Sequence, residues 1–174
     1  MRLANRSSSL TANLLLIIAL VAASIFSEAR AAEAISFGDD GWYTWQVATT
    51  GEFAEEKFYV RVKSGEPKEI EIIGHWCRGW KRSVTRYPDA TDLGLVDTDV
   101  SLNWFEQYIG DRSDLGSDAL AAISMHDSGR AVQIMIDVVE SDAHMDVREE
   151  AVFWMAQSES EAAFAYLDKL LMKR

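Results

Sequence analysis

The chain has 174 residues, 48% of them hydrophobic and 26% charged, which is the composition of a globular domain rather than of a disordered or fibrous chain. Its formal net charge of −11 argues against a nucleic-acid or anionic-membrane surface, which needs a basic face. A single cysteine, Cys77, excludes an intramolecular disulfide and any multi-cysteine metal site.

The N-terminus reads as a secretory signal peptide. Arg2 and Arg6 form a positive start, residues 14–26 (LLLIIALVAASIF) an uncharged apolar run, and Ala29-Arg30-Ala31 a small-residue cleavage site. The run is short of the roughly 20 apolar residues of a comfortable membrane span. Cleavage after Ala31 is the expectation, and an inner-membrane anchor retained at 14–26 the alternative. Removal of 1–31 leaves 14 basic and 27 acidic residues, a net charge of −13. The expected address is therefore periplasmic or secreted, and after cleavage no membrane insertion is expected. In an oxidising compartment Cys77 is expected to be buried and inert.

Residues 38–96 read as a small antiparallel β subdomain. GWYTWQV at 41–47 is aromatic-rich and roughly alternating. KFYVRVK at 57–63 sets Phe58, Val60 and Val62 on one face, and EIEIIGHW at 69–76 sets Ile70 and Ile72 against Glu69 and Glu71. Ser64-Gly65-Glu66-Pro67 supplies a turn, so the last two runs form a hairpin and 41–47 a third strand. Residues 49–56 read as a polar connection.

The stretch 74–88 concentrates His75, Trp76, Cys77, Arg78, Trp80, Lys81, Arg82, Arg86 and Tyr87, a basic and aromatic cluster in an acidic chain. Trp76, Arg78, Trp80 and Arg82 are candidate binding residues for an acidic or aromatic ligand, through stacking and cation–π contacts. The plainer alternative is that the tryptophans cap the sheet and the cations solvate its edge. His75 and Cys77 lack a third and fourth ligand nearby, so no metal site is expected.

From Asp97 to the C-terminus the period becomes helical. Asp97 or Thr98 caps a helix to about residue 109, with Leu102, Phe105 and Ile109 as its stripe. Four more helices follow: about 117–126 with Leu120 and Ile123 inward; about 129–140, capped by Ser128, with Val132, Met135 and Val139; a third capped by Asp146 with Glu149 closing the capping box, its stripe Val147, Ala151 and Trp154; and a fourth introduced by Ser158 and Glu161, with Ala163, Leu167 and Leu171. Sliding the chain by 32 residues superposes Ile123 on Met155, Met135 on Leu167 and Val139 on Leu171. Such a period in helical pairs signals a solenoid.

Asp146-Val147-Arg148 followed by AVFWMAQ at 151–157 resembles the second helix pair of a HEAT repeat, and the wider layout resembles secreted bacterial HEAT-repeat proteins without an assigned activity. The resemblance implies a short right-handed α-solenoid over 97–174, with Asp146 and Arg148 linking neighbouring repeats. It implies protein binding more than catalysis, although some members of that family are lyases for bound pigments.

Catalytic patterns are absent from the sequence: no Gly-x-Ser-x-Gly, no phosphate-cradling glycine loop and no His-Glu-x-x-His. His126-Asp127 and His144-Met145-Asp146 fall at expected helix ends, where a His–Asp pair serves acid–base work or, more often, a cap. Trp104, Phe153 and Trp154 read as core. Because neighbours on a helix point apart, either Phe153 or Trp154 is expected at the surface, where it becomes a candidate binding hot spot; Trp154 is carried as the candidate. The expected fold is α+β, and the expected function an exported protein–protein interaction module with a partner in the cell envelope. No catalytic residue, cofactor or nucleic acid is expected. The alternatives are an envelope sensor for a small molecule or metal, and an enzyme or accessory subunit using the cluster from His75 to Tyr87.

Overall fold

A computed structural model describes residues 34–48, 56–73, 87–110, 113–158 and 160–172. The chain divides into residues 1–33 and 34–174, and all described residues belong to the second unit. The N-terminal segment, residues 49–55 of the predicted 49–56 connection and all of 74–86 lie outside the described residues, and residue 56 of that connection is instead the first residue of a strand.

Among the described residues, four strands precede five helices: β1 (Gly41–Val47), β2 (Glu56–Lys63), β3 (Glu66–Ile73) and β4 (Thr91–Val96). The helices are α1 (Thr98–Glu106), α2 (Asp114–Ser124), α3 (Gly129–Glu140), α4 (Met145–Gln157) and α5 (Glu161–Met172).

The β2–β3 hairpin turns on two residues, Ser64 (φ 57°) and Gly65 (φ 75°), both left-handed. Paired positive φ is the turn whose twist matches the strands it joins. The Gly65 N–H donates to the Asp40 carboxylate at 3.3 Å. Backbone hydrogen bonds from Ser64 and Gly65 hold the Asp40 pKa below its ordinary value.

The sheet corrects the three-stranded antiparallel expectation. It has four strands in the order β3-β2-β1-β4; β1–β2 and β2–β3 are antiparallel, and β4 lies parallel to β1. The periodicity of β4 is poor because TDLGLV is broken by Gly94 (φ 77°), and the β1–β4 register shifts between Thr44 and Gln46. A glycine in the left-handed region at an irregularity of this kind kinks an edge strand and turns side chains outward. Leu95 is indeed exposed.

One face of the sheet carries Tyr43, Trp45 and Val47 from β1, Phe58, Val60 and Val62 from β2, and Ile70 from β3, all buried. These form one continuous core with Leu102 and Phe105 of α1, Leu120 and Ile123 of α2, and the buried faces of α3 and α4. Trp45 and Phe58 lie 5.5 and 5.1 Å from Phe105, ring centre to ring centre. Each such pair is worth about 0.5–1.5 kcal/mol beyond the area it buries.

That single core overturns the HEAT-like solenoid. In a solenoid each hairpin buries its face on the next, so corresponding positions share their burial. Here Ile123 and Met155 are both fully buried, but Val132 and Val139 are buried whereas their counterparts Phe164 and Leu171 are 46% and 66% exposed. The sole buried residue of α5 is Ala163. The periodicity in α5 is real, but among the described residues no third hairpin covers its second flank, and α2 packs back on β3 rather than only on another hairpin.

The caps shift as well. Asp97 caps α1, accepting from the backbone N–H of Asp99 (2.9 Å) and Val100 (3.3 Å), and Ser128 caps α3 through Ala131 N–H. The N-cap of α4 is His144 rather than Asp146, and Ser160 rather than Ser158 stands before α5; Ser158 instead closes the end of α4.

Candidate interaction surface

The binding candidates Trp76, Arg78, Trp80 and Arg82, together with His75 and Cys77, lie outside the described residues. Tyr87, the last member of that cluster, is described. Its ring stacks on Trp42 at 3.8 Å, and its hydroxyl donates to Glu71 at 2.5 Å. It thus anchors the chain to the sheet face opposite the helices, beside Tyr59.

His126, expected at a helix-end turn, is a core residue, only 4% exposed. Its Nδ1 lies 2.8 Å from the Ala122 carbonyl and its Nε2 2.9 Å from Ser101 Oγ. A carbonyl only accepts, so Nδ1 carries the proton and Nε2 accepts from the Ser101 hydroxyl. Ser101 Oγ in turn accepts from the Trp45 indole N–H at 2.9 Å. Phe58 stacks on the imidazole and Phe105 meets it edge-on. Burial, which penalises the cation, lowers the His126 pKa to about 4 against the backbone bonds that favour it. The Ser101–His126 contact is sealed from solvent and its imidazole is oriented by a carbonyl rather than a carboxylate, so this pair has no access to a substrate. Ser101, 25 residues from its partner, had no sequence signal beyond being a polar position between apolar ones.

Asp146 and Arg148, which the HEAT resemblance implies link neighbouring repeats, have these contacts. Asp146 pairs with His144 Nδ1 at 3.2 Å, and the Arg148 guanidinium donates through Nε to the Val139 carbonyl at 2.8 Å. Arg148 therefore neutralises the C-terminal end of α3, where the helix dipole favours a cation.

An acidic seam runs where α2 meets β3 and α4. A cleft of about 180 Å³ is lined by Asp114, Ser117, Asp146 and Glu150 with Leu120 and Val147 beneath, and the Ser117 hydroxyl donates to Glu150. Beside it, Asp118 has its pKa pushed up to about 6, first by burial and then by the carboxylates of Asp114, Glu69, Glu150 and Glu71. No group of His, Cys, Asp and Glu among the described residues has the arrangement of a metal site.

The last two helices carry exposed apolar side chains among exposed charged ones. Phe153 of α4 is 54% exposed, while its neighbour Trp154 is half-buried with an indole N–H that meets no acceptor among the described residues. The tryptophan carried as the binding candidate is therefore a packing residue, and the exposed aromatic is Phe153. On α5, Phe164, Leu170, Leu171 and Met172 are exposed. Exposed large apolar side chains on two successive helices make these helices the candidate interaction surface. Alternation along the sequence offered that choice between Phe153 and Trp154, but only the docking of α4 decides it.

No family model, curated protein or solved structure matches the chain. Among the described residues no helix is long and apolar enough to cross a membrane.

Proposed function

We propose that this protein is an exported protein–protein interaction module that contacts its partner through the outer faces of α4 and α5. The observation that carries the reading is the exposure of Phe153, Phe164 and Leu171 on two helices anchored in the core, α4 by Val147, Ala151 and Met155 opposite Phe153, and α5 by Ala163 beside Phe164 and Leu171. Rigid helices that present aromatic and aliphatic anchors lose little side-chain freedom on binding, the condition under which apolar contacts become hot spots. Export is read from residues 1–31, with Arg2 and Arg6 ahead of the apolar run at 14–26. The reading assigns no catalytic step to any side chain.

A photo-crosslinking amino acid placed at Phe153, and separately at the exposed Asp89, tests the proposal in cells. The expected result is a discrete protein adduct from position 153 and none from 89, in an envelope fraction where the intact mass has lost residues 1–31. Equal labelling from both positions, or none, overturns the interaction surface; a mass that retains 1–31 overturns cleavage.

A further inference from the structure

Building on the interaction reading above, we infer that the occupant of α5 is a basic amphipathic helix supplied by a partner protein. Phe164 and Leu171, seven residues apart and both exposed, line one flank of α5, beside the inner line of Ala163 and Leu167, of which Leu167 is partly buried against the core. Asp168 stands four residues after Phe164 and Glu161 three residues before it. Both carboxylates are exposed and border the same flank on its solvent side. Lys169, the basic residue of α5, is two residues from Leu171 and five from Phe164, and so belongs to another face.

An apolar stripe with an acidic edge is matched by a helix that carries leucine-like side chains flanked by lysine or arginine. A second copy of this chain fits worse. Asp168 lies at the middle of the 164–171 stripe, so two antiparallel copies bring two Asp168 carboxylates face to face at the symmetry axis. The chain's net charge of −11 opposes self-association in the same direction and steers basic partners towards it.

The test uses protein purified from the envelope fraction. The probes are a leucine–lysine amphipathic peptide of about 18 residues, roughly five helical turns, and its leucine–glutamate twin. The lysine peptide is expected to bind at least ~10-fold more tightly than the glutamate twin, a difference of about 1.4 kcal/mol. Phe164→Glu should weaken its binding by ~10-fold or more, and Glu161→Lys with Asp168→Lys should invert the preference between the twins. Two outcomes overturn the inference. Asp89→Lys with Asp142→Lys, at exposed sites elsewhere, weakens binding as much as the α5 pair, which reduces the attraction to net charge. Alternatively, the sedimentation mass of the unmodified protein rises with concentration and Phe164→Glu abolishes the rise, which makes a second copy the occupant. If neither peptide binds while the position-153 adduct persists and is lost in Phe164→Glu, the basic-helix chemistry is wrong and the interaction surface stands. Loss of both observations removes the two together.

Discussion

His126 is neutral because of where it lies. Unfolded, its imidazole titrates near 6.5; folded, burial against Phe58 and Phe105 lowers that to about 4. A lowered histidine pKa contributes stability that is complete above the unfolded value and is lost as pH falls from 6.5 towards 4. The loss amounts to about 3 kcal/mol at 1.36 kcal/mol per pKa unit. His126→Phe should flatten this acid limb in urea titrations between pH 4 and 7, at a cost of about 1–3 kcal/mol near neutrality because the Ser101 hydroxyl loses its acceptor. An unchanged acid limb would place the loss in other groups. Asp118 works in the opposite sense. Its raised pKa means that the folded state binds a proton more tightly than the unfolded one, so stability is gained as pH falls from about 6 through 3.8. Solvent screening at this half-open position reduces the penalty of its charge above pH 6 to about 1 kcal/mol or less. Asp118→Asn should therefore stabilise the protein at pH 8, lose that advantage by pH 4, and so steepen the acid limb that His126 produces. Equal gains at both pH values would mean that burial and the acidic neighbours do not raise the carboxyl's pKa.

At the scale of elements, α5 divides between an inner side, with Ala163 buried and Tyr166 and Leu167 packed against the core, and an exposed flank. Ala163 is fully buried, and the side of α5 that carries Phe164 and Leu171 is open. Ala163→Leu should cost about 1–3 kcal/mol by overpacking. Leu171→Glu, at a side chain two-thirds exposed, should change folding stability by no more than about 0.5 kcal/mol, and Phe164→Glu, about half of whose surface is covered, by about 1 kcal/mol. Denaturant midpoints of the three variants check this, and a large loss from either glutamate variant would show that the flank is part of the core. The Arg130 guanidinium shows how little a surface network adds. It bonds to Asp99 Oδ1 and Glu106 Oε2, both at 3.1 Å, and to Asn103, which ties α3 to α1 from outside. At these exposures such pairs contribute about 0–1 kcal/mol, so the packing of Phe105 against Trp45 and Phe58 governs how the two helices stand on the sheet.

Across the whole molecule, acidity is the dominant electrostatic fact. With 28 acidic against 17 basic residues, the folded chain repels itself, most strongly along the seam of Glu69, Glu71, Asp114, Asp118 and Glu150. Raising ionic strength shortens the screening length from about 30 Å at 0.01 M to about 8 Å at 0.15 M. The thermal midpoint should therefore rise over that interval, and the rise should shrink in Asp118→Asn. A midpoint that falls with salt would mean that favourable pairs such as Arg61–Glu69 and Lys57–Asp92 outweigh the repulsion.

The strands 41–47 and 57–63, the hairpin turn at Ser64-Gly65, the Asp97 and Ser128 caps and the approximate places of all five helices were legible from residue order alone. Each rests on local rules: alternation, turn chemistry and capping act within a few residues. The same rules failed where distant partners decide the outcome. Nothing local in TDLGLV announces β4, because its pairing to β1 depends on a neighbour more than forty residues away in the chain. The 32-residue periodicity suggested stacked hairpins, yet a repeat in sequence specifies only which side of a helix is apolar, and whether a neighbour covers that side is a tertiary question. The structure answers it differently for α3 and α5. Likewise, His126 at a helix end is compatible with a solvated turn or a buried network. Only the convergence of Phe58, Phe105, Ser101 and Ala122 on its ring makes it a core residue, and only the docking of α4 turns Trp154 inward and leaves Phe153 at the surface.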